Sequence, residues 1–178
     1  MRCFVAVDIP EELKSGIKEF QDQLSSFDVK LVEPKNLHFT LKFLGDLDQT
    51  TINQVKQKLS ESTSNHKAFF ILLSGVGVFP NLNYIRVIWI GSKSQDFANL
   101  HKAVADALQD IGEPEKEAIP HLTIARVRSP RNKDIIANII KRYETESFGS
   151  FNIDKIKLKQ STLTPRGPKY EDLEVFEL

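Results

Sequence analysis

Two periods of apolar and polar positions run along this chain, and their order recurs. Residues 3–7 and 86–90 are short, β-rich apolar runs of strand character. After the first, Leu13, Ile17, Phe20 and Leu24 fall at helical spacing behind Pro10. After the second, Phe97, Leu100, Val104, Leu108 and Ile111 do the same and Gly112 can cap them. Two further helices are predicted. One starts near Asp48 and buries Ile52, Val55 and Leu59; the other starts at Ser129-Pro130 and buries Ile135, Ile136, Ile139, Ile140 and Tyr143. Strands over 69–79, 151–163 and 173–178 complete the pattern, with Asn81-Leu82-Asn83 as a hairpin turn between the halves. The order is β-α-β-α-β twice, plus a closing strand.

One polar pattern sits inside this repeat. His38-Phe39-Thr40-Leu41 recurs as His121-Leu122-Thr123-Ile124, 83 residues on, in a chain with only four histidines. Sliding the sequence by the same interval superposes the flanking strands and helices, so the motifs mark an internal duplication. The expected fold is α+β: one bilobal domain over 1–178, with repeat halves at roughly 1–80 and 84–163. Antiparallel sheets should form a central cleft, with helices outside.

Composition narrows the function. The 24 basic and 24 acidic residues cancel, so no global field draws the chain onto long duplex nucleic acid, and any polyanion must be held locally. Cys3 is the single cysteine and lies in an apolar run; it has no disulfide partner and reads as core. No stretch approaches the ~18 apolar residues of a membrane span, and the N-terminus does not resemble a signal peptide. The expected location is the cytoplasm.

In an extended strand His38 and Thr40 share one face, as do His121 and Thr123, while the apolar residues between them anchor each strand. Two imidazoles and two hydroxyls facing each other suit chemistry at phosphorus. One histidine takes a proton from an attacking hydroxyl, the other gives one to the leaving oxygen, and the threonines donate to the non-bridging oxygens. The histidines lack the supporting Cys, Asp or Glu ligands of a zinc site, so neither metal nor cofactor is expected. His66 and His101 read as structural or solvent-facing. By strict alternation Lys42 shares the histidine face and Arg126 does not, so Arg126 reaches the cleft only if its strand bends, bulges or ends.

These motifs resemble the 2H phosphoesterase superfamily, and their flanks resemble its RNA 2′,3′-cyclic phosphodiesterase branch, long called 2′-5′ RNA ligase. The likeness spans nearly the whole chain: Arg2 to Ala6, Asn36 to Gly45, Gly77 to Pro80, Arg86 to Trp89, Pro120 to Arg126, and Leu163 through Gly167 to Tyr170. It implies a metal-independent hydrolase opening 2′,3′-cyclic phosphates to 2′-phosphates. His38 is then the proton donor and His121 the acceptor, Thr40, Thr123 and Arg126 hold the phosphate, and Lys42, Arg166 and Lys169 are candidate substrate contacts. Implied partners are RNA 3′ ends bearing the cyclic phosphate, tRNA halves or cyclic nucleotides, met by a monomer. The same groups serve 2′-5′ ligation in reverse; a non-enzymatic RNA-end binder is the rival from another class.

Overall fold

The computed structural model describes residues 1–112 and 119–178. The first half supplies β1 (Arg2–Asp8), α1 (Glu11–Asp22), β2 (Val29–Leu31), β3 (His38–Asp46), α2 (Gln49–Thr63), β4 (Phe69–Ser74) and β5 (Val76–Asn81). The second supplies β6 (Tyr84–Gly91), α3 (Gln95–Ala107), β7 (His121–Val127), α4 (Lys133–Arg142), β8 (Ser147–Ile153), β9 (Lys155–Thr164) and β10 (Gly167–Glu177). Local chemistry sets the helix starts. The Asp48 carboxylate accepts the Thr51 amide at 2.7 Å and Ser94 caps Phe97, each satisfying an otherwise orphaned N–H.

The large sheet runs β10-β9-β1-β3-β7-β6-β5, with β2 added on β7, and β4 pairs β8 in a separate ribbon. Every pairing is antiparallel. Two equivalent strands meet at the centre, where β3 touches β7 through Phe39 and Leu122. The halves interlock: β5 of the first pairs β6 of the second, and β9 of the second pairs β1 of the first. Each lobe is therefore built from both halves, where the sequence pattern suggests one half per lobe.

One face of the sheet is the core. Val5, Phe39, Leu41, Leu122 and Ile124 are buried there with Ile17, Phe20, Val55, Phe97 and Val104 from the helices. Each such side chain contributes roughly 1.5–3 kcal/mol of transfer free energy. The other face carries the motifs.

Several expected boundaries shift. The run 69–79 breaks at Gly75, whose φ is 77° and where a Cβ would stand 2.7 Å from the Glu144 carbonyl oxygen. That break sends β4 to β8 and β5 to β6. The run 151–163 divides likewise at Asp154, and the closing strand begins earlier, at Gly167. Residues 130–132 form a 3₁₀ turn before α4, which leaves Ile135 exposed while Ile136, Ile139 and Ile140 are buried. Tyr143 is partly buried.

Candidate active site

Both histidines are held the same way. His38 Nδ1 lies 2.7 Å from the carbonyl oxygen of Asn36, and His121 Nδ1 lies 2.7 Å from that of Ile119, two residues upstream in each case. With Nδ1–H donating to a backbone carbonyl, Nε2 is left to act in the cleft. Aromatic edges fix the rings. Phe4 and Tyr170 stand 5.0 and 5.3 Å from His38, and Phe79 stands 5.0 Å from His121 in an edge-to-face arrangement.

The strands are not regular, and the irregularity decides what faces the cleft. On β3, Ala6 opposes Thr40 and Val5 opposes Lys42, so Leu41 is an extra residue; on β7, Trp89 opposes Thr123 and Ile88 opposes Ala125, so Ile124 is extra. Each bulge occupies the fourth position of its motif and reverses the alternation beyond it. Arg126 thereby joins the face of His121 and Thr123, and it lines the cleft. Lys42 turns to the opposite face and is only 4% exposed, so the expectation that it meets substrate is overturned by the bulge at Leu41. Phe43 takes the cleft position equivalent to Arg126 and is 54% exposed there.

The cleft encloses about 630 Å³ and brings together His38, Thr40, His121, Thr123, Arg126 and Arg166. Lys169 is not among its walls. It alternates with Pro168 and Tyr170, which do line the cleft, and so falls on the opposite face of β10, where it pairs with Glu171 at 3.0 Å. Residues that pattern reading passed over also line the cleft: Arg2, Phe4, Lys30, Phe79 and Tyr170. Lys30 sits directly across from Arg126 in the β2–β7 pair. Like charges facing each other in this way repel unless an anion joins them.

Burial draws the proton affinity of His38 below that of a free imidazole, opposed by its bond to Asn36 and by the charge of Asp8. Burial likewise pushes the Tyr170 phenol up. Among the described residues no cluster of three or more His, Cys, Asp or Glu could hold a metal ion, and no helix is long and apolar enough to cross a membrane. His101 is buried on α3, away from the cleft.

The LigT like Phosphoesterase family matches the chain twice, over residues 7–89 and 90–170. The chain belongs to this family. A relative from Methanothermobacter thermautotrophicus, named RNA 2′,3′-cyclic phosphodiesterase, is 41% identical over 100% of this chain and 99% of its own length. One of the same name from Methanocaldococcus jannaschii is 44% identical over 96% of this chain and 97% of its own. The crystal structure of a Thermus thermophilus protein superposes with a TM-score of 0.87 at 29% identity, covering 100% of this chain and 98% of that one. Escherichia coli LigT, at 20% identity and a TM-score of 0.78 over 99% of this chain and 96% of its own, shares the fold.

Proposed function

We propose that this phosphoesterase opens 2′,3′-cyclic phosphates at RNA 3′ ends to 2′-phosphates by paired acid and base catalysis. The observation that carries the reading is the matched pair of Nδ1 bonds, which leaves both Nε2 atoms to act in one cleft lined by Thr40, Thr123 and three arginines, Arg126 among them. Relatives at 41% and 44% identity bear the corresponding name.

In the proposed reaction His121 Nε2 takes a proton from water as the water oxygen attacks phosphorus. The bond from phosphorus to the 3′ oxygen breaks, and His38 Nε2–H gives that oxygen its proton. Thr40 and Thr123 donate to the non-bridging oxygens, while Arg126, with Lys30 beside it, faces the added negative charge. Substrate binding helps the donor, because an anionic phosphate next to His38 raises an affinity that burial lowers. The reading takes in tRNA halves and cyclic nucleotides as substrates, and a cytoplasmic monomer as the working form.

Incubation with a 2′,3′-cyclic mononucleotide and a cyclic-phosphate-ended oligomer, in EDTA, tests it. A 2′-phosphate product is expected, resolved by phosphorus NMR. His38→Ala and His121→Ala should each lower kcat by about 10²–10⁴-fold with the fold kept. A predominantly 3′-phosphate product would reject the orientation, and unchanged turnover in either variant would remove that histidine from the reaction. Joining of a 5′-hydroxyl end would reveal ligation, and tight RNA-end binding without turnover would favour a binder.

A further inference from the structure

On the cleft face beside His38 lies a closed ring of four charges from three strands. Lys157 Nζ is 2.8 Å from one carboxylate oxygen of Asp8 and 2.6 Å from one of Asp172. Lys159 Nζ is 3.0 Å and 2.6 Å from the other oxygen of each. Both oxygens of both carboxylates are thus taken up by ammonium groups. The strands concerned are already joined by backbone ladders, and Lys159 is only 7% exposed. The opposite charges outweigh the cost of burial, holding Lys157 above and Asp172 below their ordinary proton affinities, so cross-linking the three strands is one reason for the ring.

Its placement supplies another reason. Asp8 is the direct cross-strand partner of His38, and residues so paired project on the same face. In the other arm the cross-strand partner of His121 is Gly91, which has no side chain. Asp8 and Gly91 are 83 residues apart, the repeat interval. The two arms therefore match in histidine, threonine, bulge and Nδ1 bond but differ in the group beside the imidazole: a fixed carboxylate next to one, none next to the other.

We propose that Asp8 is a positioning residue for the proton donor: clamped between Lys157 and Lys159, its carboxylate holds negative charge beside His38 and stabilises the imidazolium that must give up a proton. The reading rests on the acid and base roles proposed above. Asp8 does not orient the ring, since Nδ1 is engaged by Asn36 and both Asp8 oxygens are held by lysines. It acts through space, as a charge that cannot swing away. The other groups facing His38 are Lys159 from β9 and His121 from β7, both of which oppose protonation, and the Tyr170 ring from β10. Arg126 and Arg2 lie near enough to act on the Tyr170 phenol, and both line the same cleft as His38.

The test reads the protonation of His38 itself, by NMR titration of its Cε1–H in the free protein, alongside the alkaline limb of kcat/KM for a cyclic mononucleotide. Asp8→Asn should lower the His38 midpoint by about half to one pH unit, Lys159→Gln should raise it by a similar amount, and the double variant should lie near the wild type. The alkaline limb should follow, costing Asp8→Asn about 3- to 10-fold in kcat/KM above its midpoint. A purely structural ring would lower melting temperature in both variants without opposite shifts. Midpoints that stay put, or that move in the same direction, overturn the proposal. If Asp8→Asn does not fold, Lys159→Gln alone decides, and an unchanged or lowered midpoint is fatal. The NMR arm does not depend on turnover, so a protein inactive on cyclic phosphates would refute the proposed function without refuting the influence of Asp8 on His38.

Discussion

Adding one methyl group at Gly77 should damage the second arm of the site from beneath. Gly77 is the cross-strand partner of Trp89, whose indole lies over it; a Cβ there would stand 2.7 Å from Cε2 and nearer still to Cζ2 and Cη2. Carbon atoms settle at about 3.5–4 Å, so the indole must retreat by about 1 Å or more. Gly91 bounds it on another side, where an added Cβ would be 2.9 Å from Cζ3. The Trp89 Nε1–H is buried without a hydrogen-bond partner among the described residues, so packing alone locates the ring. Its neighbour Phe79, with ring centroids 5.3 Å apart, is the ring that abuts His121. Overpacking of this kind costs about 1–3 kcal/mol, or roughly 2–12 °C in Tm for a chain of this size. If the displacement reaches His121, kcat/KM should fall about 10- to 100-fold. Gly16→Ala is the internal control: it lies in α1 with nothing within 4 Å of its Cβ, and should stabilise by about 0.5–1 kcal/mol. Thermal melts and initial rates on a cyclic mononucleotide read both effects. Gly77→Ala with wild-type Tm would refute the packing argument, and lost stability with unchanged kcat/KM would refute the link through Phe79 to His121.

Arg126→Gln should lower kcat/KM by about 10²–10³-fold while Lys42→Met leaves it within about twofold, since the bulges send one to the cleft and the other away; comparable losses in kinetic assays would mean that the register has been misread. His38 is held below its unfolded proton affinity, so the stability it contributes is present above the unfolded value near pH 6.5 and lost as pH falls through the folded one. His38→Asn should therefore flatten the acid-side decline of Tm, and an identical decline would count against a half-buried imidazole held neutral. The Cys3 thiol is buried and its pKa is raised, so a thiol reagent should fail to label the native protein at pH 8 and label it fully in denaturant.

Periodicity revealed the elements and their duplication because each strand and helix writes its buried face directly into the sequence. His38, Thr40, His121 and Thr123 were legible for the same reason: the first three residues of each motif keep strict alternation. Legibility ends at the fourth residue. A bulge at Leu41 or Ile124 leaves no mark in the apolar pattern, since a buried leucine or isoleucine looks the same in or out of register, and parity then assigns Lys42 and Arg126 to the wrong faces. The carbonyls of Asn36 and Ile119 were invisible too, because a backbone acceptor does not depend on side-chain identity. The interlocking of the halves is a tertiary choice, made where Gly75 parts β4 from β5 and sends each to a different partner.

The duplication poses a chemical difficulty for the proposed reaction. Two equivalent arms would present the same imidazole and hydroxyl to either side of a cyclic phosphate, and nothing would distinguish the 2′ from the 3′ oxygen. Duplication conserves what is set by the backbone: the Nδ1 bond to the carbonyl two residues back and the bulge at the fourth position. The arms diverge where side chains alone decide. The fifth residue after the histidine is Phe43 in one arm and Arg126 in the other, and the cross-strand partner is Asp8 in one and Gly91 in the other. An arginine five residues after one histidine and a carboxylate across from the other thus fall on opposite arms. The Asp8 carboxylate favours a proton on His38, while the Arg126 guanidinium stands on the side of His121. On the proposed roles, acid in the first arm and base in the second, the two substitutions polarise the site in one sense, so exchanging only one of them should weaken turnover before it reverses the product.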